Sequence, residues 1–151
     1  SGIIRGIKRL ADEGIPLPLA VSLHAPNQEL RTRLMPINKR YPLEDLLDAC
    51  AYYRRQTGRR ITFEYALIDG INDAPHHARE LAGIARRLEA HVNLIPLNPS
   101  GRGLSGSPPE KVARFQEVLR DEGVTVTVRK ELGANIDAAC GQLRRRALQK
   151  T

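Results

Sequence analysis

The stretch "ITFEYALIDGINDAPHHARELAGIARRLEAHVNLIPLNP", Ile61–Pro99, decides the fold. Its opening reads as a strand, because Ile61, Phe63 and Tyr65 alternate with Thr62 and Glu64 and so take opposite faces of a pleat. Asp69 and Gly70 supply a turn, "PHHARELAGIARRLEA" repeats apolar residues at helical spacing, and "VNLIPLNP" is a second short strand. A strand, a helix and a strand in that order make a parallel crossover unit.

The alternation continues on both sides. "IIRGIKRLADEG" reads as a helix stopped at Gly14, "PLAVSLHAP" as a strand closed by Pro26, and "LEDLLDACAYYRRQTG" as an amphipathic helix ending at Gly58. Further on, "SPPEKVARFQEVLRDEG" reads as a helix with Ser107 as N-cap, Pro108 at the first helical position and Gly123 past its end, and "VTVTVRK" as the last strand. Helices and single strands taking turns make an α/β protein with a parallel sheet, either wound or closed into a barrel. Polar residues recur on one face of three strands: Ser22 and His24, Thr62 and Glu64, then Thr125, Thr127 and Arg129. A parallel sheet buried by helices on both faces reads as continuous apolar runs, so a repeated polar face favours the lumen of an open or wide barrel over the edge of an ordinary sheet. The loops "SLHAPNQ", "IDGINDAP" and "LNPSGRGLSG" follow strand ends, where barrel active sites sit.

Composition narrows the function classes. With 151 residues the chain fits one domain, able to bury roughly 68–70% of its unfolded surface. No apolar run is long enough to span a bilayer. Cys50 and Cys140 are the only cysteines, too few and too far apart for a disulfide framework, so a reducing compartment, the cytoplasm, is expected. Twenty-four Lys and Arg against seventeen Asp and Glu leave a charge of +7 and favour an anionic partner, nucleic acid first. The basic clusters "RRQTGRR" and "LRRRALQK" serve equally as solvated helix ends. Aromatic residues are only 4% of the chain, which supplies a base-stacking surface poorly.

Four histidines offer no metal pattern: His76 and His77 are adjacent at a helix start, where surface or capping roles are expected. "GRGLSG" reads as a flexible loop, not a phosphate cradle. Cys50 shares a helix face with Leu46 and reads as a buried structural thiol. Cys140 differs. Asp137 can cap a helix that places the thiol near a positive dipole end, and Arg144–Arg146 follow, both effects favouring the thiolate; Gly141 favours instead an irregular loop of close approach. Read locally, a small buried hydrophobe and a working thiolate both remain open.

In this order, "SLHAPNQELRTRLMPINKRYPLEDLLDAC", "FEYALIDGINDAPHHARELA", "VNLIPLNP" and "VRKELGANIDAACGQL" resemble the C-terminal part of the RlmN/Cfr family, radical S-adenosylmethionine enzymes that methylate adenosine in ribosomal RNA. The similarity runs from Ser1 to about Leu143. It implies a partial parallel (βα) barrel of the radical SAM type and a single domain over residues 1–151 that is a fragment of it. The family's accessory N-terminal domain, its CxxxCxxC loop for a [4Fe-4S] cluster and its Gly-Glu-Pro segment have no counterpart in the chain. The missing initiator Met and the opening "SG" ahead of a helix carry the same expectation of a fragment.

Residue by residue, the resemblance implies that Ser22, Leu23, His24 and Asn98 bind S-adenosylmethionine and that Cys140 is the cysteine which is methylated and then carries the one-carbon unit to C2 of adenine. Asn135 departs from the Asp common in the family. The chemistry requires such a carrier, because C2 is an electron-poor aryl carbon without a lone pair and takes no methyl cation directly. The thiolate of Cys140 would accept a methyl group; a deoxyadenosyl radical would then abstract hydrogen from it, and the methylene radical would add to C2. Two cysteines in distant places cannot hold the cluster, so reductive cleavage belongs to the rest of the protein and the isolated chain is expected to be inert. The implied partners are 23S rRNA and tRNA, with dimerisation through an unpaired sheet edge a further expectation. The C8-methylating branch of the family, a noncatalytic RNA-binding module and half of a small-molecule barrel enzyme are the competing readings.

Overall fold

The structure is a computed structural model, and it describes residues 2–15, 17–35, 39–97 and 105–129. Among the described residues nine elements follow one another: α1 (Gly2–Asp12), β1 (Leu19–Ser22), α2 (Gln28–Leu34), α3 (Leu43–Thr57), β2 (Ile61–Leu67), α4 (Pro75–Leu88), β3 (His91–Pro96), α5 (Pro109–Asp121) and β4 (Val126–Val128). The four strands pair in parallel in the order β1-β2-β3-β4. Each strand therefore lies beside the next one in sequence, and a helix crosses over between them.

Alternation along the strands separates two faces. Val21, Ile61, Phe63, Tyr65, Leu67, Val92 and Leu94 enter one apolar core with Ile7 and Ala11 of α1, Leu46 and Tyr53 of α3, Leu81 and Ala85 of α4, and Phe115 and Leu119 of α5. α1, α3, α4 and α5 thus all cover the same face. Ile61, Phe63, Tyr65, Leu67, Val92 and Leu94 are 0% exposed, and full burial of a large apolar side chain contributes about 1.5–3 kcal/mol. The exposed Arg87–Glu44 bridge between α4 and α3, 3.0 Å long, belongs to a class worth about 0–1 kcal/mol. Apolar burial against the sheet therefore decides where the helices sit. Four helices in one layer on a single face, with only the seven-residue α2 on the other, is the construction of a barrel wall and not of a doubly wound sheet.

Two local features differ from the sequence reading. Ser107 does not cap α5: Pro108 occupies the cap position, and the buried Ser107 hydroxyl donates to Asp73 Oδ2 at 2.8 Å. The loop "SLHAPNQ" leads into an unforeseen helix, α2, capped by Asn27, whose Oδ1 accepts the Leu30 N–H at 2.8 Å. Asn27 also donates to Glu80 Oε2 of α4 at 3.2 Å, which fixes α2 against a neighbour. Leu30 and Leu34 of α2 pack with Ala25, Ala66, Ile68 and Ile95 in a second apolar cluster on the opposite face, toward the C-terminal strand ends.

Gly58 ends α3 as expected, in the left-handed region at φ 68° with its N–H on the Arg54 carbonyl at 2.8 Å. Gly106 is required for another reason. It bridges Ile68 in antiparallel fashion beyond β2, and a Cβ there would stand 1.8 Å from the Leu97 carbonyl oxygen. No side chain fits between these two backbones.

Candidate functional site

The face of the sheet opposite α1, α3, α4 and α5 carries the polar side chains that the sequence placed together. Register sets Ser22 beside Glu64, Glu64 beside Asn93 and Asn93 beside Thr127, so one row of polar residues crosses all four strands. Thr127 donates to Asn93 Oδ1 at 3.1 Å, and His91 contacts Thr125 and Thr127 at 3.0 and 2.9 Å. Partial burial and the nearby Arg60 hold the His91 pKa below its ordinary value. Glu64 is half-buried. Among the described residues no hydrogen bond or ion pair reaches its carboxylate.

Toward the C-terminal ends the face closes. The backbone of His24 turns at φ 58°, in the left-handed region, and sets the ring into the protein at 5% exposure. Its Nδ1 accepts the Ala66 N–H at 2.9 Å, so the neutral ring carries its proton on Nε2. Asn72, 0% exposed, ties this corner together. Its Oδ1 accepts the Ile68 N–H at 2.7 Å, while its Nδ2 donates to the carbonyls of His24 at 2.9 Å and Ala66 at 2.7 Å. The Tyr65 hydroxyl donates to the Asn72 carbonyl at 2.7 Å. The buried Arg31 of α2 donates from Nε to the Leu23 carbonyl at 3.3 Å.

The sequence-derived site residues therefore occupy different environments. Ser22 is exposed on the polar face. Leu23 points into the helix-side core and is 0% exposed. His24, just past Ser22, is buried and anchors the end of β1 to Ala66. Asn98 follows Leu97 just past β3 and lies outside the described residues, as does Cys140. The sequence reading missed Asn72 and Arg31. Asn72 stood in a loop of turn-forming residues that gave no sign of a buried hub, and Arg31 lay in the helix that went unread.

A cavity of about 950 Å³ lies between the ends of β3 and β4 and the start of α5, lined by Leu97, Gly106, Val112 and Val128 with Asp69 and Arg129. Asp69 accepts from Lys111 Nζ at 2.7 Å. The paired histidines behave as expected of a helix start: His77 Nδ1 accepts the Ala74 N–H at 3.2 Å. His76, His77 and Glu80 hold donor atoms within 4.8 Å of one another, but that capping bond occupies His77 Nδ1 and Glu80 already accepts from Asn27. Cys50 is 0% exposed, and burial pushes its thiol up to about 12, so it stays protonated.

His24 makes stability depend on pH. Burial, and secondly the Arg31 charge, push its pKa from 6.5 down to about 4. The unfolded chain then binds more protons than the folded one between these values, so stability is complete above 6.5 and falls as pH drops toward 4. The loss expected from this one group is at most about 3 kcal/mol. Urea unfolding measured across that window should show it, and His24→Gln, which keeps an acceptor for the Ala66 N–H, should flatten the slope. His77 and His91 shift in the same direction, so the difference between the two proteins isolates His24; parallel pH profiles would remove the assignment.

Comparison with known proteins agrees with this architecture. The chain is 54% identical over 146 residues to the probable dual-specificity RNA methyltransferase RlmN of Desulforamulus reducens, covering 96% of this chain and 42% of that protein. It is 53% identical over 152 residues to the protein of the same description from Symbiobacterium thermophilum, covering 99% and 41%. It thus spans about two fifths of the length of these curated relatives. No family profile matches the chain. Among solved structures, a radical SAM methyltransferase from Sphaerobacter thermophilus superposes with a TM-score of 0.82 at 51% identity, over 92% of this chain and 41% of that one. A domain of a pyruvate-formate lyase-activating enzyme from Bacteroides vulgatus, at 17% identity and a TM-score of 0.60 over 83% of this chain and 88% of that one, shares the fold alone. Four helices layered on one face, a parallel sheet with a polar row on the other, and this level of identity lead to one conclusion: the chain belongs to the RlmN family and is built as part of a radical SAM (βα) barrel.

Proposed function

We propose that residues 1–151 are a single domain within a longer radical SAM enzyme that methylates C2 of adenosine in 23S rRNA and in tRNA, and that Cys140 carries the one-carbon unit as S-methylcysteine. Support comes from the RNA methyltransferase descriptions of its relatives. The single observation that carries the reading is the polar row Ser22–Glu64–Asn93–Thr127 on the face opposite the four-helix layer, a surface that suits a small polar ligand held against a barrel wall. The net charge of +7 suits an RNA partner. No described helix is long and apolar enough to cross a membrane, and the proposed place of action is the cytoplasm. Among the described residues β1 and β4 are the sheet edges, and in the isolated chain they would serve as pairing surfaces for a dimer.

The two implied groups fit these residues differently. A [4Fe-4S] cluster needs several thiolates, and the described residues hold one cysteine, the buried, protonated Cys50. The cluster does not fit here, and no step is derived through it. S-adenosylmethionine does fit: the open face offers the exposed Ser22 hydroxyl, the Asn93 amide and the Glu64 carboxylate, which no hydrogen bond or ion pair reaches among the described residues. When bound, it supplies the methyl group. In this reading Ser22 and Asn98 contact it directly, the buried Leu23 side chain anchors the β1 end, and His24 offers its Nε2–H. Cys140, as a thiolate, would be the group that holds the methyl so supplied, as a thioether.

Peptide mass spectrometry on the full-length protein tests the reading. Cys140 is expected to carry an added methyl group in protein that methylates RNA; unmodified Cys140 in fully active protein would exclude the carrier role.

A further inference from the structure

The cavity of about 950 Å³ beside β4 lies where the described part of the chain ends, at Arg129. Its lining is largely apolar, with Pro96 and Leu97 at the end of β3, Val112 and Ala113 of α5, and Val128 of β4. Val128 is only half-buried and Ala113 is exposed, so this wall is incompletely covered. The ladder between β3 and β4 stops at the pair Leu94–Val128, after which the Arg129 N–H donates to the Leu94 carbonyl at 2.9 Å. β3 itself runs on to Pro96. A chain that keeps the direction of β4 after Arg129 therefore passes alongside Pro96 and Leu97, into the cavity.

The sequence beyond Arg129 supplies a fitting occupant. Leu132 is its first large apolar residue, Ile136 its second, and Cys140 follows. Leu132 lies three positions from Arg129, within roughly 10 Å of extended chain. The segment 98–104, which joins Leu97 to Ser105, is the nearest competitor and contains one large apolar residue, Leu104. We propose that the cavity is the seat of the segment 130–139, with Leu132 as its anchor, and that this seat limits how far Cys140 ranges from the strand ends. Seating Leu132 takes apolar surface of both the side chain and the lining out of water. Eleven residues of free tether from Arg129 to Cys140 would span up to about 36–40 Å, whereas the eight that follow a seated Leu132 span up to about 26–29 Å. The shorter tether concentrates the thiol near the rim of the sheet. That consequence rests on the reading of Cys140 as the methyl carrier; the seat does not.

Hydrogen–deuterium exchange on the full-length protein, read peptide by peptide, tests the seat. Leu132→Ala removes the anchor, and Ala113→Trp crowds the cavity from an exposed position on α5. In both variants the amides of residues 130–139 are expected to exchange roughly 10–100-fold faster than in wild type, the factor that goes with uncovering one large apolar side chain. Peptides from β2 and α4 should keep their wild-type rates, and Leu132→Met, which keeps the bulk, should keep the protection. Equal rates in wild type and Leu132→Ala overturn the seat. Ala113→Trp overturns it too if exchange quickens only in 98–104 or elsewhere in the longer protein, because the cavity then holds another occupant. Faster exchange shared by β2 and α4 also overturns it, since the effect would then belong to the whole fold. None of these exchange results touches the carrier reading, which falls instead if Cys140 is unmethylated in active wild-type protein.

Discussion

Replacing Cys140 with alanine in the full-length protein is expected to reduce methyl transfer to RNA to the level seen without enzyme. Adenine C2 has no lone pair and repels a methyl cation, so the one-carbon unit must first rest on an atom able both to accept it from a sulfonium and to stabilise it after hydrogen abstraction. Sulfur meets both requirements, whereas an alanine methyl meets neither. Cys50 provides the contrast. It is 0% exposed with its thiol held protonated, so Cys50→Ala should lower stability by only about 1 kcal/mol, the scale of a small cavity, and leave transfer intact. Labelled-methyl incorporation into RNA reads both variants. Transfer by Cys140→Ala at the wild-type rate would eliminate the carrier role, and inactivity of Cys50→Ala with a normal fold would show that the two thiols had been assigned the wrong way round.

The second large effect concerns stability. Asn72→Ala removes one acceptor and both donors from a fully buried corner, leaving the Ile68 N–H and the carbonyls of His24 and Ala66 without those partners. Each orphaned buried group costs about 1–3 kcal/mol, so a combined loss of about 3–5 kcal/mol is expected, a large share of the ~5–15 kcal/mol typical of a domain. Urea unfolding should show a strongly lowered midpoint. Asn72→Asp tests the cause: it keeps the shape and the acceptor but points oxygen at two carbonyls, and should also destabilise. If both variants unfold near the wild-type midpoint, the corner is not what holds the ends of β1 and β2 together.

The fold was legible wherever a side chain's partner lies on the same strand or helix. Ile61, Phe63 and Tyr65 against Thr62 and Glu64 define two faces by alternation alone, and the structure buries the first three completely. α4 and α5 announce themselves through period and length. α2 was missed because it has seven residues and no propensity strong enough to form it alone; its Asn27 cap and the Leu30–Leu34 spacing were present, but the cluster that stabilises them comes from β2 and β3. Ser107 misled for a related reason: a serine before two prolines has the local form of a cap, and only tertiary placement beside Asp73 redirects its hydroxyl. His24 could be placed at the end of β1 by counting, but its left-handed backbone and its contacts with Ala66 and Asn72, far along the chain, could not. The carrier thiol rests on resemblance, because Cys140 lies outside the described residues.

The close approach of Gly106 to Leu97 has a wider meaning. Gly106 also bridges Ile68, so the exits of two neighbouring strands meet at a residue with no side chain to act as a spacer. Such a junction works like a rivet. The segment after β2 and the segment after β3 cannot slide past each other without parting at this point, which makes the rim of the sheet one mechanical unit instead of a set of independent loops.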